Sequence, residues 1–236
     1  MEEAFFPRLC GVCRTEGSLL CPSCALNLSN STRQSQSCGH CGVRETPLGT
    51  VCFDCIGSAA HDGIFAALRY HHPEVARLIH LFKYRFVRDL GNPLGALLAT
   101  AVLRSELPLP DAILPVPLHP RRERWRGWNQ SEILAEAFRK NLPEELSPPV
   151  IKTLLVRTRF TTPQMSIRDK NLRKKNIEGA FQIAPKSTRK ETPFDVTGKR
   201  IWIVDDVAAS GATIAACAKV LKECGAREVF GIVVAR

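Results

Sequence analysis

Hydrophobic positions after residue 60 follow two different periods, and segments of the two kinds alternate along the chain. In the segment 73–84, Val75, Leu78, Ile79 and Phe82 recur at helical spacing, which predicts an amphipathic helix. Short apolar runs bounded by polar residues predict buried strands instead. We predict helices at 73–84, 94–107, 129–141 and 212–224, and strands within 62–70 and at 112–116, 150–156, 201–204 and 229–235.

Local signals fix several of these boundaries. Pro93 stands at the favoured first position of a helix, Asn129 and Glu132 form an Asn-x-x-Glu capping pair, and Gly225 stops the last helix. Strands that alternate with helices predict an α/β fold, in which a parallel sheet is flanked by helices. Such sheets bind ligands at the carboxyl ends of their strands.

The first 60 residues have a different pattern, dominated by cysteine. Eight of the ten cysteines lie there in four Cys-x-x-Cys pairs, which are Cys10/Cys13, Cys21/Cys24, Cys38/Cys41 and Cys52/Cys55. Two such pairs supply the four thiolates that Zn²⁺ favours in a tetrahedral site. Disulfides are the competing interpretation, but a reducing cytosol would keep the thiols free. We therefore predict two bound Zn²⁺ ions.

The pairing of these turns has two solutions. In the sequential one, Cys10, Cys13, Cys21 and Cys24 hold one ion and the other four cysteines hold the second; in the interleaved one, alternate pairs share an ion. The segment has few large apolar side chains, so the metal must supply its folding energy, and closed four-thiolate sites are structural. We predict a double zinc ribbon at 1–60 and a second domain at 61–236.

Composition and charge narrow the class of protein. Hydrophobic residues make up 44% of the chain, enough for a core. No apolar stretch approaches the roughly 20 residues that span a bilayer, and the start, Met1-Glu2-Glu3, is acidic where a secretory signal would be basic. We expect a cytoplasmic protein without membrane insertion.

The net charge of +10 comes from the chain beyond residue 60. Basic side chains cluster at Arg121, Arg122, Arg124 and Arg126 and again along 157–175. Either these are solvated faces, or they meet a ligand that carries phosphate.

The run 201–213 carries the most specific chemistry. Four apolar residues end in Asp205 and Asp206, which we expect just past the end of the strand because buried charges need partners. A loop of small residues then leads into a helix, whose N-terminus and the Ser210 and Thr213 hydroxyls suit a phosphate. Two acids beside such a loop predict a ribose 5-phosphate site. The plainer alternative is a strand-loop-helix turn in which the acids are ordinary caps.

This run resembles the phosphoribosyl-diphosphate signature of type I phosphoribosyltransferases, and the whole chain resembles the ComF/GntX-like competence family. The shared motifs are Lys83-Tyr84, Pro115-Val116-Pro117, Arg126-Gly127-Trp128-Asn129-Gln130, and Gln164 with Arg173, Asn176, Ala180 and Phe181. The resemblance implies a type I phosphoribosyltransferase-like parallel sheet behind an N-terminal double zinc ribbon.

The resemblance also implies roles for single residues. Asp205 and Asp206 would be the catalytic acids that hold the ribose hydroxyls. The 5-phosphate would lie on Ala208, Ala209, Ser210, Gly211, Ala212 and Thr213. The pyrophosphate would meet Arg121, Arg122, Arg124 and Arg126, with Gln164 and Arg173 in a flap formed by 157–175. Mg²⁺ would accompany the phosphoribosyl diphosphate.

Two functions from different classes are compatible with these features. The chain is either a phosphoribosyltransferase with an unidentified acceptor, or a non-catalytic module that binds single-stranded DNA and works with DNA-uptake proteins, as the family resemblance implies for natural transformation. In the second case the arginines contact phosphates while Trp125 and Trp128 stack on bases. One or both tryptophans can equally belong to the core.

Overall fold

A parallel sheet of four strands forms the centre of the computed structural model, which describes residues 8–31, 36–84, 87–161, 169–185 and 194–236. The strand order is β3-β8-β7-β4. The strands are β3 (Gly63–Leu68), β4 (Ala112–Pro115), β7 (Arg200–Val207) and β8 (Glu228–Ala235). The predicted α/β class with a parallel sheet is confirmed.

Helices cover both faces of this sheet, and two short antiparallel pairs lie outside it. The helices are α1 (Pro22–Asn30), α2 (Pro73–Tyr84), α3 (Gly91–Leu103), α4 (Pro120–Arg126), α5 (Gln130–Lys140), α6 (Lys170–Ile177) and α7 (Ala212–Glu223). The remaining strands are β1 (Gln36–Ser37) with β2 (Glu45–Thr46), and β5 (Leu155–Arg157) with β6 (Phe181–Ile183).

Alternation along β7 divides the core in two. Trp202 and Val204 face α2, α3 and α5, whereas Ile201 and Ile203 face α7 and the β5–β6 pair. Successive side chains of a strand point to opposite faces, so one strand serves both clusters. At the end of the same strand, Asp206 lies on the α2 side.

Three boundaries differ from the prediction. The segment 150–156 is not a strand of the central sheet, because only Val150 makes a bridge to Ile113 and the strand proper, β5, pairs with β6 instead. Helix α3 ends at Leu103. Asp205 and Asp206 lie within β7 rather than past it, and Val207 is still paired with Ala235.

The cysteine-rich segment is packed against this domain through both halves. Leu20 and Leu28 of the first half join the core cluster of α2 and α3. In the second half, the Gln36 side chain pairs with both backbone groups of Ala66 on the edge strand β3, at 3.0 and 2.9 Å. The Arg236 guanidinium donates to the carbonyls of Ser37, Cys38 and Gly39.

Across the described ranges, no helix combines the length and the apolar character needed to cross a membrane.

Candidate phosphoribosyl site and metal centres

The eight N-terminal cysteines form two compact groups. The first comprises Cys10, Cys13, Cys21 and Cys24, the second Cys38, Cys41, Cys52 and Cys55, and the sulfur atoms within each group lie within 4.8 Å of one another. The sequential pairing is therefore the one that the fold assembles, and the interleaved alternative is wrong. Backbone N–H groups already point at the sulfurs, as in the bond from Cys52 N to Cys38 Sγ at 3.2 Å.

The thiols of each group need a cation in order to ionise together. Backbone N–H donors from Cys52 and Cys41 outweigh burial and lower the pKa of Cys38 to about 6. Burial and the neighbouring Cys52 raise the pKa of Cys55 to about 12. In the first group, Thr15 lowers the pKa of Cys13 to about 6, whereas Cys21 and burial raise that of Cys24 to about 12. A divalent ion would remove this imbalance, so both groups fit Zn²⁺.

The acid pair lies at the carboxyl end of β7, at the floor of a cavity of about 610 Å³. Asp205 is 8% exposed and Asp206 1% exposed. The Ser131 hydroxyl donates to Asp205 Oδ1 at 2.8 Å, and Lys83 Nζ lies 2.9 Å from Asp206 Oδ1. Asp206 Oδ2 is buried and has no hydrogen-bond partner among the described residues. Buried polar atoms are nearly always hydrogen-bonded, so an unsatisfied carboxylate oxygen on a residue that lines a cavity calls for an explanation.

Burial raises the pKa of Asp205 to about 7, and the Asp206 carboxylate acts in the same direction, while Lys83 and the Ser131 hydroxyl oppose them. For Lys83, burial lowers the pKa, but the Asp206 and Asp205 carboxylates outweigh it, so the pKa of Lys83 lies above its ordinary value. The floor of the cavity therefore combines an ammonium group with two carboxylates, one of which titrates near neutral pH.

The loop after β7 forms one wall of the cavity and carries all six predicted phosphate-binding residues, Ala208, Ala209, Ser210, Gly211, Ala212 and Thr213. Gly211 is left-handed, with φ 73°, and caps α7. A Cβ there would lie 2.8 Å from Ile64 Cδ1 and 3.2 Å from the carbonyl oxygen of Gly39, which belongs to the second cysteine group. Glycine is thus required both by its backbone angle and by this close approach.

Arginines also line the cavity. Arg121, Arg122, Arg126 and Arg173 line the cavity, whereas Arg124, on the same helix as the first three, is exposed and is not among the lining residues. Gln164 lies outside the described residues, as does the middle of the predicted flap at 162–168.

Arg157, at the start of the predicted flap, is a buried cation. It is 7% exposed, lines the cavity, and has no carboxylate within salt-bridge distance among the described residues. Burial, followed by the nearby Arg122, lowers the pKa of Arg157 to about 10. The Arg157 guanidinium donates to the Thr161 hydroxyl and lies over the Phe181 ring, but its Nε has no hydrogen-bond partner within the described ranges. Since a buried charge without a counterion is costly, an anion in the cavity would stabilise it.

Aromatic rings surround the mouth of the cavity. Trp125 is 66% exposed, and Phe160 lies beneath the guanidinium groups of Arg121 and Arg122 at 4.9 and 5.3 Å. Trp128 packs on Phe82 with ring centroids 5.3 Å apart, so one of the two tryptophans belongs to the core and the other faces solvent.

Three residues that line the cavity were not predicted as site residues. Lys83 belongs to a motif that the family shares, but nothing in its helical pattern linked it to β7. Ser131 follows the helix-capping Asn129 and is typical of a helix start. Phe160 follows β5 and offered no sequence signal of its own.

A pH-dependent stability follows from the raised pKa of Asp205. The folded protein binds this proton more tightly than the unfolded chain, whose pKa is about 3.8, so its stabilising effect is lost as pH rises from about 4 through 7. Asp205→Asn removes this dependence while keeping an acceptor for Ser131. We expect the free energy of unfolding of the variant, relative to the wild type, to be higher at pH 8 than at pH 5 by denaturant titration.

The pH dependence of the wild type alone does not isolate the effect of Asp205. Burial lowers the pKa of His61 to about 4, so the wild type also becomes less stable as pH falls in the same range, and the difference between Asp205→Asn and the wild type cancels this contribution. Asp111→Asn is the matched control. Hydrogen bonding to the Arg200 N–H lowers the pKa of Asp111, so this variant should give the same difference at pH 5 and pH 8. Equal differences for Asp205→Asn would contradict the raised pKa.

The chain is similar to several known proteins. Residues 149–236 match the family described as Phosphoribosyl transferase domain. The chain is 31% identical over 232 residues to the DNA utilization protein YhgH of Escherichia coli K12, covering 94% of each chain. It is 29% identical over 196 residues to Competence protein F of Haemophilus influenzae, covering 81% of each. A glutamine phosphoribosylpyrophosphate amidotransferase from B. subtilis is 22% identical over 63% of this chain and 26% of its own, with a TM-score of 0.38.

The fold and the matched domain define a phosphoribosyltransferase-type protein that carries two four-cysteine clusters at its N-terminus. Within that class, the chain belongs to the ComF-like family, together with the YhgH and Competence protein F relatives.

Proposed function

We propose that this chain binds phosphoribosyl diphosphate, or a related sugar phosphate, in the cavity at the end of β7. The observation that carries the proposal is a buried acid pair with an unsatisfied oxygen, in a cavity that is also lined by the 208–213 loop and by several arginines. Vicinal hydroxyls of a ribose suit the carboxylates, and a 5-phosphate suits the N–H groups of the loop and the start of α7.

The diphosphate would lie toward Arg121, Arg122, Arg126 and the buried Arg157. Mg²⁺, when bound, would enter with the diphosphate and neutralise part of its charge. Charge neutralisation and alignment supply most of the catalysis in such a site, so no side chain has to act as a nucleophile.

The proposed reaction is a phosphoribosyl transfer. The bond between C1 of the ribose and the diphosphate oxygen breaks with its electron pair leaving on pyrophosphate. A lone pair of the acceptor forms the new bond at C1, and an N–H acceptor releases its proton to solvent. The aromatic mouth of the cavity suits a planar acceptor.

Calorimetry on the unmutated protein tests the proposal. Titration with phosphoribosyl diphosphate in the presence of Mg²⁺ should show one site per chain. No measurable heat with Mg²⁺, at protein and ligand concentrations that would detect a millimolar affinity, would overturn it.

A second candidate function is single-stranded DNA binding, favoured by the exposed Trp125 and by the Phe160 ring beneath two guanidinium groups. Rings of this kind stack on bases while arginines follow the phosphates. The relatives are named for DNA utilization and competence, and we therefore propose a role in DNA uptake during natural transformation, in the cytoplasm and together with DNA-uptake proteins. The two functions are compatible, since the same cavity could receive a strand end.

Salt dependence distinguishes the DNA-binding residues. Replacing Arg121, Arg122 and Arg124 by alanine should flatten the salt dependence: the negative slope of log affinity for single-stranded DNA against log salt should shrink in magnitude by about 0.7 for each phosphate that the protein no longer neutralises. Fluorescence anisotropy with a labelled oligonucleotide measures the slope. The control removes three exposed cations elsewhere, with Lys199, Lys219 and Arg227 changed to alanine. Equal slopes for the arginine variant and the wild type would remove these residues from the interface.

We further propose that both cysteine groups hold structural Zn²⁺, and that residues 1–60 form a double zinc ribbon ahead of a phosphoribosyltransferase-like domain at 61–236.

A further inference from the structure

Lys83 reaches the acid pair from a distant part of the chain. It lies in the last turn of α2, and its side chain is 14% exposed. Its Nζ is 2.9 Å from Asp206 Oδ1, which also accepts a hydrogen bond from Val207 N at 2.8 Å. The other oxygen of Asp206 has no partner in the described structure, so the ammonium fixes the carboxylate and leaves one oxygen unused.

One oxygen of each carboxylate is already engaged. Asp205 Oδ1 accepts from the Ser131 hydroxyl and from Asp206 N, and Asp206 Oδ1 is held by Lys83. Mg²⁺ demands near-octahedral oxygen ligands at about 2.0–2.1 Å. In the described part of the chain, the groups of three or more residues that could hold a metal ion are the two cysteine clusters. A Mg²⁺ ion at the acid pair would lie beside the Lys83 ammonium, which repels a cation and already compensates the charge of Asp206. With Lys83 in this position, the acid pair does not fit a protein-bound Mg²⁺.

The charge on the floor of the cavity is nevertheless compensated. Two adjacent buried carboxylates repel each other and a ligand that carries phosphate. A buried ammonium beside them reduces both effects, and it does so permanently because it is covalently part of the protein. The lysine ammonium is a compact point charge. It can therefore pair with one oxygen of a carboxylate while the other oxygen accepts a hydrogen bond from a sugar hydroxyl.

We propose that Lys83 takes the place of a divalent cation at the acid pair, so that the ribose 5-phosphate part of a ligand binds independently of Mg²⁺. Lys83 is on this view a positioning residue: it orients Asp206 and balances its charge while the free oxygen receives a ribose hydroxyl. The inference rests on the proposed sugar-phosphate site and restricts any Mg²⁺ requirement to ligands that carry a diphosphate.

Ribose 5-phosphate is the probe that separates the two parts, because it has the sugar and the 5-phosphate but no diphosphate. Calorimetry with the full chain should give dissociation constants in Mg²⁺ and in EDTA that agree within about threefold; EDTA exposure is kept short, and zinc content is checked afterwards. In Lys83→Met, the emptied position beside two carboxylates should admit Mg²⁺, so we expect binding at least tenfold tighter with Mg²⁺ than without it.

Thermal unfolding supplies a readout that needs no ligand. Millimolar Mg²⁺ should raise the melting temperature of Lys83→Met and leave that of the wild type unchanged. A merely structural ion pair would instead lower stability and affinity equally with and without Mg²⁺. Lys152→Met is the matched control, since Lys152 makes a 2.8 Å ion pair with Glu136 at the surface and does not line the cavity. It should behave as the wild type does.

If Lys83→Met does not fold, Lys83→Arg is the second variant; it keeps the positive charge, so its ribose 5-phosphate binding should remain independent of Mg²⁺. The titrations of the wild type with and without Mg²⁺ test the inference without any variant. Wild-type binding of ribose 5-phosphate that requires Mg²⁺ would overturn the inference, as would a Lys83→Met protein that shows no Mg²⁺ response. If phosphoribosyl diphosphate still binds in either case, the proposed function stands. If neither ligand binds the wild type in Mg²⁺ or in EDTA, both proposals fail.

Discussion

Changing Asp205 and Asp206 together to asparagine is expected to weaken phosphoribosyl diphosphate binding by at least about 100-fold. Each carboxylate would lose a charge-assisted hydrogen bond to a ribose hydroxyl, worth about 1.5–3 kcal/mol, and a tenfold change in affinity corresponds to about 1.4 kcal/mol. Calorimetry in the presence of Mg²⁺ measures the loss. Affinity for single-stranded DNA should be nearly intact, because the arginines and Trp125 are untouched.

The double variant leaves Lys83 buried without its partner, and breaking such a pair costs about 3–5 kcal/mol of stability. A melting curve must therefore accompany the titration. Thr213→Val provides a second test that retains the acid pair and the shape of the loop, and we expect it to weaken binding about tenfold because the variant lacks the hydroxyl. Wild-type affinity in both folded variants would show that the ligand binds elsewhere.

Metal removal should have the second large effect. We expect two zinc ions per chain by elemental analysis, and one in a variant with Cys38→Ser and Cys52→Ser. Structural zinc contributes an apparent free energy of about 10–16 kcal/mol in small metal-dependent modules, so the segment 36–55 should lose its protection from hydrogen exchange when its ion is removed.

The consequence should extend to the phosphate-binding loop. Gly39 lies between two ligands of the second cluster, and its carbonyl is close to Gly211. Loss of the second ion should therefore increase exchange in 208–213 as well. Cys224→Ser is the control, because Cys224 is exposed and outside both clusters. Fewer than two ions in the wild type, or disulfides within the clusters in protein purified under reducing conditions, would contradict the zinc assignment.

The sequence predicted those elements that are specified by residues close together in the chain. Helix α2 matched its predicted range, because four apolar residues at helical spacing specify both the helix and its buried face. Asn129 caps α5 as predicted, accepting from Ser131 N at 3.1 Å. The segment 150–156 was misassigned because an apolar run does not reveal which strand it pairs with, and only the register with β6 shows that β5 lies outside the central sheet.

For the acid pair, too, one feature was predictable from the sequence and another was not. Its adjacency to a small-residue loop was visible in the sequence, but its position within β7 was not, since burial was expected to exclude two carboxylates from a strand. Lys83 makes that position tolerable for Asp206, and Ser131 does so for Asp205.

By itself, the sequence determined the alternation of helices and strands, the grouping of thiols into Cys-x-x-Cys turns, and the loop suited to phosphate, because each depends on residues within a few positions of one another. Only the tertiary structure decided which turns share a cluster, which arginines reach the cavity, and which cation accompanies the acids. These choices depend on contacts between segments far apart in the chain, such as α2 with β7, and such contacts are set by packing rather than by any local pattern.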